Sequence, residues 1–270
     1  MAETRTVAFL SDFGHRDPFV GICHAVIARV DPAIKVVDLT HGIERQDVRA
    51  GAVALSDAVP FLPARSVVVA VVDPGVGSDR RAIAVVSRDG IVFVGPDNGL
   101  MSPAVAEAGG AEAAFEISES PWRLEPVSDT FHGRDIFSPV AARIAAGADP
   151  AQGGTSIDTD SLVALELPRP ELIDGDLTTA VLSIDEFGNA RLAATTSDLP
   201  ASIAVGESVE IDTDDMRRLA AFVHTYADAE NGDPLLIVDS TGSLSVSING
   251  GYAASTLRLE AGKVVRILPT

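Results

Sequence analysis

Two short stretches carry side chains that could do chemistry together. DPGVGSDRR, residues 73–81, sets an aspartate at the end of an apolar run, then a proline and two glycines, then Arg80. Proline and glycine there turn the backbone sharply and let it pass close to a ligand. Seven residues beyond the aspartate, Arg80 can fold back toward it across the loop. The second stretch, DTFHGRDIFSPVAARIAAG at 129–147, is an amphipathic helix whose mouth holds His132, Gly133, Arg134 and Asp135. One reading is capping and surface charge. The other is that His132 faces a pocket, with Gly133 leaving room for something small beside it.

Acids recur at similar places. Three apolar runs end in Asp12, Asp38 and Asp73. In an open α/β sheet, ligands collect in the crevice at the carboxyl ends of strands. An aspartate there can accept hydrogen bonds from ribose hydroxyls or hold a catalytic partner; equally, it can cap the next helix or turn. Several alternatives lack their signatures. The 73–81 loop has no Gly-Lys-Ser/Thr for a P-loop and no third glycine for a dinucleotide fingerprint. DFG at 12–14 lacks kinase companions, and no G-x-S-x-G elbow is present. None of the five histidines, His15, His24, His41, His132 and His224, has HExxH-type spacing, so no metal site is expected.

The elements that must position these residues fall into two textures. Over residues 4–100, short β-branched runs alternate with helical stretches: TVAFLSD, GICHAVIARV, IKVVDLT, VRAGAVALSDAVPFL, SVVVAVVD, AIAVVS and GIVFVGPD, and a helix near LMSPAVAEAG and the one after His132 complete this half. This pattern predicts an α/β domain with a central, largely buried sheet. LPRPELIDGDL, at 167–177, breaks the rhythm with prolines, glycine and acids. Beyond it, short alternating strands with turn signals predict a smaller, mostly β, barrel-like domain. One helix, DDMRRLAAFVHTYADA at 214–229, is expected to interrupt it. The divisions are 1–168 for the α/β domain, 169–177 for a connector and 178–270 for the β domain.

Composition narrows the partners. The 270 residues are 46% hydrophobic and 22% charged, which suits a globular chain with a sizeable core. A net charge of −19 argues against a nucleic-acid partner, which needs clustered Lys and Arg. No apolar run approaches the roughly 20 residues that span a bilayer. The first residues lack a signal-peptide pattern, and Cys23, the only cysteine, allows neither an intrachain disulfide nor a cysteine-based zinc cluster. A cytoplasmic location without membrane association is expected.

Six ordered motifs then point to one family. SDFG (11–14), DPGVG with Arg80, GPDNGL (95–100), TFHGRD (130–135), IDEFGN (184–189) and SING (247–250) span nearly the whole chain. In them it resembles the S-adenosylmethionine (SAM) hydroxide adenosyltransferases, or SAM hydrolases, relatives of the fluorinase and chlorinase enzymes. The resemblance implies attack of activated water on C5′ of SAM, giving adenosine and L-methionine, with no cofactor. It implies a catalytic set of Asp73, Arg80 and His132, where halogenating relatives carry tyrosine in place of the aspartate and the histidine. Gly133 excludes little, because the fluorinase has serine there but the chlorinase has glycine. By the same resemblance Asp12 accepts the ribose hydroxyls, Tyr226 stacks on adenine, and Asn189 and Asn249 stand near base and sugar, although both asparagines adjoin glycine and could simply form turns. Asp185 pairs with the methionine ammonium, with Ser240 near that end; Asn98, Phe131 and Gly133 belong to the binding set. Gln46 departs from the usual aromatic against the ribose, and Thr241 stands where some relatives have arginine. Either Asp73 or His132 could take the proton. The family assembles as trimers with each site between the N-terminal domain of one subunit and the C-terminal domain of its neighbour, so a homotrimer is expected. Rival readings are a chlorinase-like halide adenosyltransferase and a noncatalytic SAM or adenosine sensor.

Overall fold

A computed structural model describes residues 5–270. The chain divides into two compact units, residues 1–165 and 166–270.

The first unit is built on seven strands: β1 (Val7–Ser11), β2 (Val36–Thr40), β3 (Val67–Val71), β4 (Ala82–Ser87), β5 (Val92–Pro96), β6 (Ala111–Glu116) and β7 (Thr155–Ile157). They lie in the order β2-β1-β3-β5-β4-β6-β7. β2, β1, β3 and β5 run parallel; β4, β6 and β7 join antiparallel. β1 and β3 are buried at every position, which is why they read as continuous apolar runs. Fully burying each such valine or leucine stabilises by roughly 1.5–3 kcal/mol before entropy is counted. Helices α1 (Phe19–Val30) and α4 (Ser138–Ala145) cover one face; α2 (Val48–Ala58) and α3 (Ser102–Glu107) cover the other. The connection out of β1 goes to β2 on one side, and the chain returns to β3 on the other. The strand order therefore switches between β1 and β3, the place where open α/β sheets bind ligands. Asp12 and Asp73 follow these two strands, whose register pairs Ser11 with Val71.

The second unit is a β-barrel. Its strands are β8 (Glu171–Ile173), β9 (Asp176–Ile184), β10 (Ala190–Thr195), β11 (Ser208–Thr213), β12 (Met216–Phe222), β13 (Pro234–Val238), β14 (Ser243–Ile248) and β15 (Val264–Pro269), with the single-turn α5 (Ala253–Thr256). The order β10-β14-β13-β12-β11-β15-β9 closes through the β9–β10 pair, and β8 hangs on β9. Closure removes the free edges of the seven barrel strands. Leu177, Val181, Leu192, Ile211, Leu236, Val246 and Ile267 fill the interior.

Two expectations need correction. The expected helix at 214–229 is instead β12, followed by a 3-10 turn at Tyr226–Asp228. Asp214 and Asp215 form the tight turn of the β11–β12 hairpin, in which Thr213 pairs with Met216. Ala220 and Phe222 then alternate into the core, so sheet pairing overrides the helix preference of Met, Arg, Leu and Ala. The expected connector at 169–177 mostly forms the β8–β9 hairpin, with Asp174 and Gly175 at its turn in positive φ. Strands β6 and β7 were not expected, because β6 is alanine-rich and β7 is only three residues long.

Candidate active site

Asp73 stands two residues past β3, on a loop whose shape depends on glycine. Gly77 has φ +76, and a Cβ there would lie 2.4 Å from the Asp129 carbonyl oxygen. That close approach clamps the 73–80 loop against the segment leading into His132. Asn98 steadies its base: the side-chain Nδ2 donates to the Val72 carbonyl at 2.8 Å, while Oδ1 accepts from the Leu100 N–H at 3.1 Å.

Within this frame Arg80 does fold back on Asp73. Its Nε donates at 3.0 Å to Oδ1 and its Nη2 at 2.5 Å to Oδ2. The same Nη2 donates to His132 Nδ1 at 2.7 Å. Both partners of the ion pair are nearly buried, their side chains 10% and 5% exposed, and the guanidinium lies 5.4 Å from the centroid of the Phe137 ring. Guanidinium can only donate, so Nδ1 must be the acceptor and a neutral His132 carries its proton on Nε2. Burial, helped by the Arg80 cation, pushes the His132 imidazole below its ordinary value, against the pull of Asp73, Asp135 and Asp129.

His132 is set by unusual local winding. Residues Gly133–Phe137 form a π-helical turn before α4, a feature that often aims side chains at functional sites. Asp135, buried, accepts from both Arg134 nitrogens at 2.6 and 2.7 Å and from the Ser128 N–H at 2.9 Å. Arg134 and Asp135 thus serve the turn, and His132 is left to the cluster. The room expected beside Gly133 is filled by the Phe13 ring, which would stand 2.9 Å from a Cβ there. Phe13, Phe19 and Phe131 pack at 5.1–6.0 Å between ring centroids, which fixes Phe131 in an aromatic wall. Asp12 spends Oδ2 on the Gln46 N–H at 2.9 Å. Gln46 itself sits in positive φ, +65°, with its side chain exposed.

The second unit holds a cavity of about 620 Å³, within the range of small-molecule sites. Asp185, Asn189, Tyr226 and Asn249, all expected site residues, line it beside Phe187 and Tyr252, which were not expected. Asp185 accepts from the N–H groups of Phe187 and Asn189 and from Asn189 Nδ2, at 2.8–2.9 Å. Asn249 Nδ2 donates to the Ala229 carbonyl at 2.8 Å. Ser240 is not brought to this cavity. It lies in the β13–β14 turn, while Asn249 follows the opposite end of that hairpin, where Pro234 pairs with Ile248. A further cavity of about 320 Å³ in the first unit, lined by Ile83, Met101, Val105 and Leu162, holds none of the expected residues.

A mixed α/β unit with a buried Asp–Arg–His cluster near its strand switch, followed by a closed barrel with an aromatic, amide-lined cavity, defines a two-unit class of small-ligand protein. The SAM hydroxide adenosyltransferase N-terminal domain matches residues 7–154, and the corresponding C-terminal domain matches 179–266. The chain belongs to the SAM hydroxide adenosyltransferase family. It is 47% identical to an (R)-S-adenosyl-L-methionine hydrolase of Salinispora tropica, over 99% of each chain. A fluorinase of Actinopolyspora mzabensis is more distant, at 29% identity over 97% of this chain and 96% of the fluorinase. The crystal structure of an uncharacterized conserved protein from Thermotoga maritima superimposes with TM-score 0.91 at 31% identity, covering 97% of this chain and 99% of that one.

Proposed function

We propose that this protein hydrolyses SAM to adenosine and L-methionine. The observation that carries the reading is Arg80 joined at once to Asp73 and His132. Water attacks C5′ opposite the sulfur: the O–C5′ bond forms, the C5′–S bond breaks, and its electron pair leaves with neutral methionine. The sulfonium is its own leaving group, so no cofactor is called for. With Nδ1 engaged by Arg80, His132 presents Nε2–H as a donor that orients the water. The Asp73 carboxylate is the acceptor toward which the water proton moves as the bond forms. Arg80 favours hydroxide-like charge beside it. Base assistance contributes about 10²–10⁴-fold, with positioning adding more. Sulfonium and hydroxide neutralise each other as they react, so a dry pocket favours the transition state over the separated ions.

Asp12 would bind ribose through the oxygen not spent on Gln46, and Tyr226, Asn189, Asn249 and Asp185 would hold the rest of the substrate. The working form is a homotrimer in the cytoplasm, each site drawing its α/β unit and its barrel from different subunits. Hydrolysis is tested by turning over SAM in oxygen-18-labelled water with chloride present and weighing the products. Labelled adenosine is expected. 5′-Chloro-5′-deoxyadenosine, or retained SAM without product, would overturn the reading.

A further inference from the structure

Behind the 11–14 loop, three side chains from separate elements converge: His24 on α1, Asp38 on β2 and His41 one residue beyond it. Asp38 Oδ1 lies 2.8 Å from His24 Nε2 and 3.0 Å from His41 Nε2. Ligand atoms of all three fall within 4.8 Å of one another, and this is the one such group of three or more among the described residues. His41 is fully buried, and its Nε2 faces Asp38 Oδ1 at 3.0 Å without meeting hydrogen-bond geometry. A buried polar nitrogen without a well-aligned partner is uncommon.

We propose that His24 Nε2, His41 Nε2 and the Asp38 carboxylate form a binding site for a divalent transition metal of the zinc class. Two imidazoles and one carboxylate are a nitrogen-rich donor set that suits zinc or cobalt and not calcium or magnesium. Tetrahedral coordination at about 2.0–2.2 Å sets ligand atoms roughly 3.3–3.6 Å apart. The two histidine–aspartate separations, 2.8 and 3.0 Å, need to open by about 0.3–0.8 Å, and the two imidazole nitrogens already lie within 4.8 Å of each other. His24 and Asp38 are 34% and 40% exposed, so they can move, and they leave the fourth position to water. His41 cannot move, but its other nitrogen is already anchored. Nδ1 lies 2.7 Å from the buried Ser11 Oγ, which accepts from it in the tautomer that ligates through Nε2. Ser11, His41 and Asp38 also have the order of a hydrolytic relay, but Ser11 is fully buried and no substrate can reach its oxygen. Ser11 Oγ accepts from the Phe13 N–H at 3.2 Å, so a bound ion would brace the loop that carries Asp12 and Phe13.

The test uses the full chain without an affinity tag, stripped by a chelator and titrated with Zn²⁺ and separately with Co²⁺. One ion per chain is expected, with visible cobalt bands of a four- or five-coordinate ion and a higher Tm in the presence of metal. His24→Gln and Asp38→Asn, both at partly exposed positions, should each weaken uptake at least tenfold while keeping the native circular dichroism. Absence of stoichiometric uptake, a six-coordinate cobalt spectrum, or uptake unchanged in both variants would overturn the site. None of these readings depends on SAM turnover, so the proposed hydrolysis stands or falls separately.

Discussion

At the residue scale, Arg80 governs what His132 can do. Burial, and after it the Arg80 cation, opposes protonation of the ring, and the Arg80 hydrogen bond to Nδ1 is made only while that nitrogen is unprotonated. His132→Ala should therefore lower kcat at least about tenfold while leaving adenosine affinity nearly intact, since the proposed task lies at the attacking water. Lost adenosine binding with unchanged turnover per bound substrate would remove that role. The pH profile follows from the same contacts. A histidine with a depressed folded value is neutral at and above its ordinary value, about 6.5, and gains its proton only below it. Protonated, it can no longer accept from Arg80, and two cations face each other. Turnover should hold as pH falls to about 6.5 and fail below that, and the acid limb should vanish in His132→Asn. An acid limb centred above 6.5 would contradict this. The Asp73–Arg80 pairing was legible from a seven-residue spacing around Pro and Gly. The link to His132, 52 residues from Arg80, has no spacing signal and was legible only through the family resemblance that sets the three residues together. Legible still less was the cluster of His24, Asp38 and His41, whose members come from a helix, a strand and a loop with no short motif.

At the element scale, the 73–80 loop is held by one close backbone contact. Gly77→Ala would meet both a positive φ and the Asp129 carbonyl at 2.4 Å. Gly90→Ala in the same unit meets positive φ but only an ordinary 3.7 Å contact with Arg65. Denaturant unfolding should show about 1 kcal/mol lost for Gly90→Ala and roughly 1–3 kcal/mol more for Gly77→Ala. Turnover should fall with the latter, because the loop that carries Arg80 must shift away from His132. Equal losses in the two variants would mean that the contact is unimportant. Elements whose sequence and environment agree were readable: β1 and β3 are apolar throughout and buried throughout. β12 is not legible as a strand because its residues favour a helix, and only hairpin pairing with β11 and the inward Ala220 and Phe222 make it one. The β8–β9 hairpin reads as a connector because its proline, glycine and acids are turn residues in either setting.

At the scale of the whole molecule, the Asp–Arg–His cluster and the amide-lined cavity belong to different units. Asp73, Arg80 and His132 all lie in the first, whereas Asp185, Asn189, Tyr226 and Asn249 line a cavity of the second. Each unit has its own hydrophobic core, so a lesion in one need not disturb the other. The proposed trimer makes a quantitative claim about such lesions. Take His132→Ala, defective in the first unit, and Tyr226→Ala, defective in the second, each nearly inactive alone. If every site draws its two halves from neighbouring subunits, random mixed trimers pair an intact first unit with an intact second unit at about a quarter of their sites. Unfolding the two variants together at equal concentration and refolding them should restore about that fraction of wild-type activity, whereas mixing them without subunit exchange should restore none. Sites made within single chains would regain nothing under either treatment, because no chain in the mixture has both halves intact. Sedimentation of the refolded mixture as a trimer without recovered activity would therefore keep the assembly and remove the shared site.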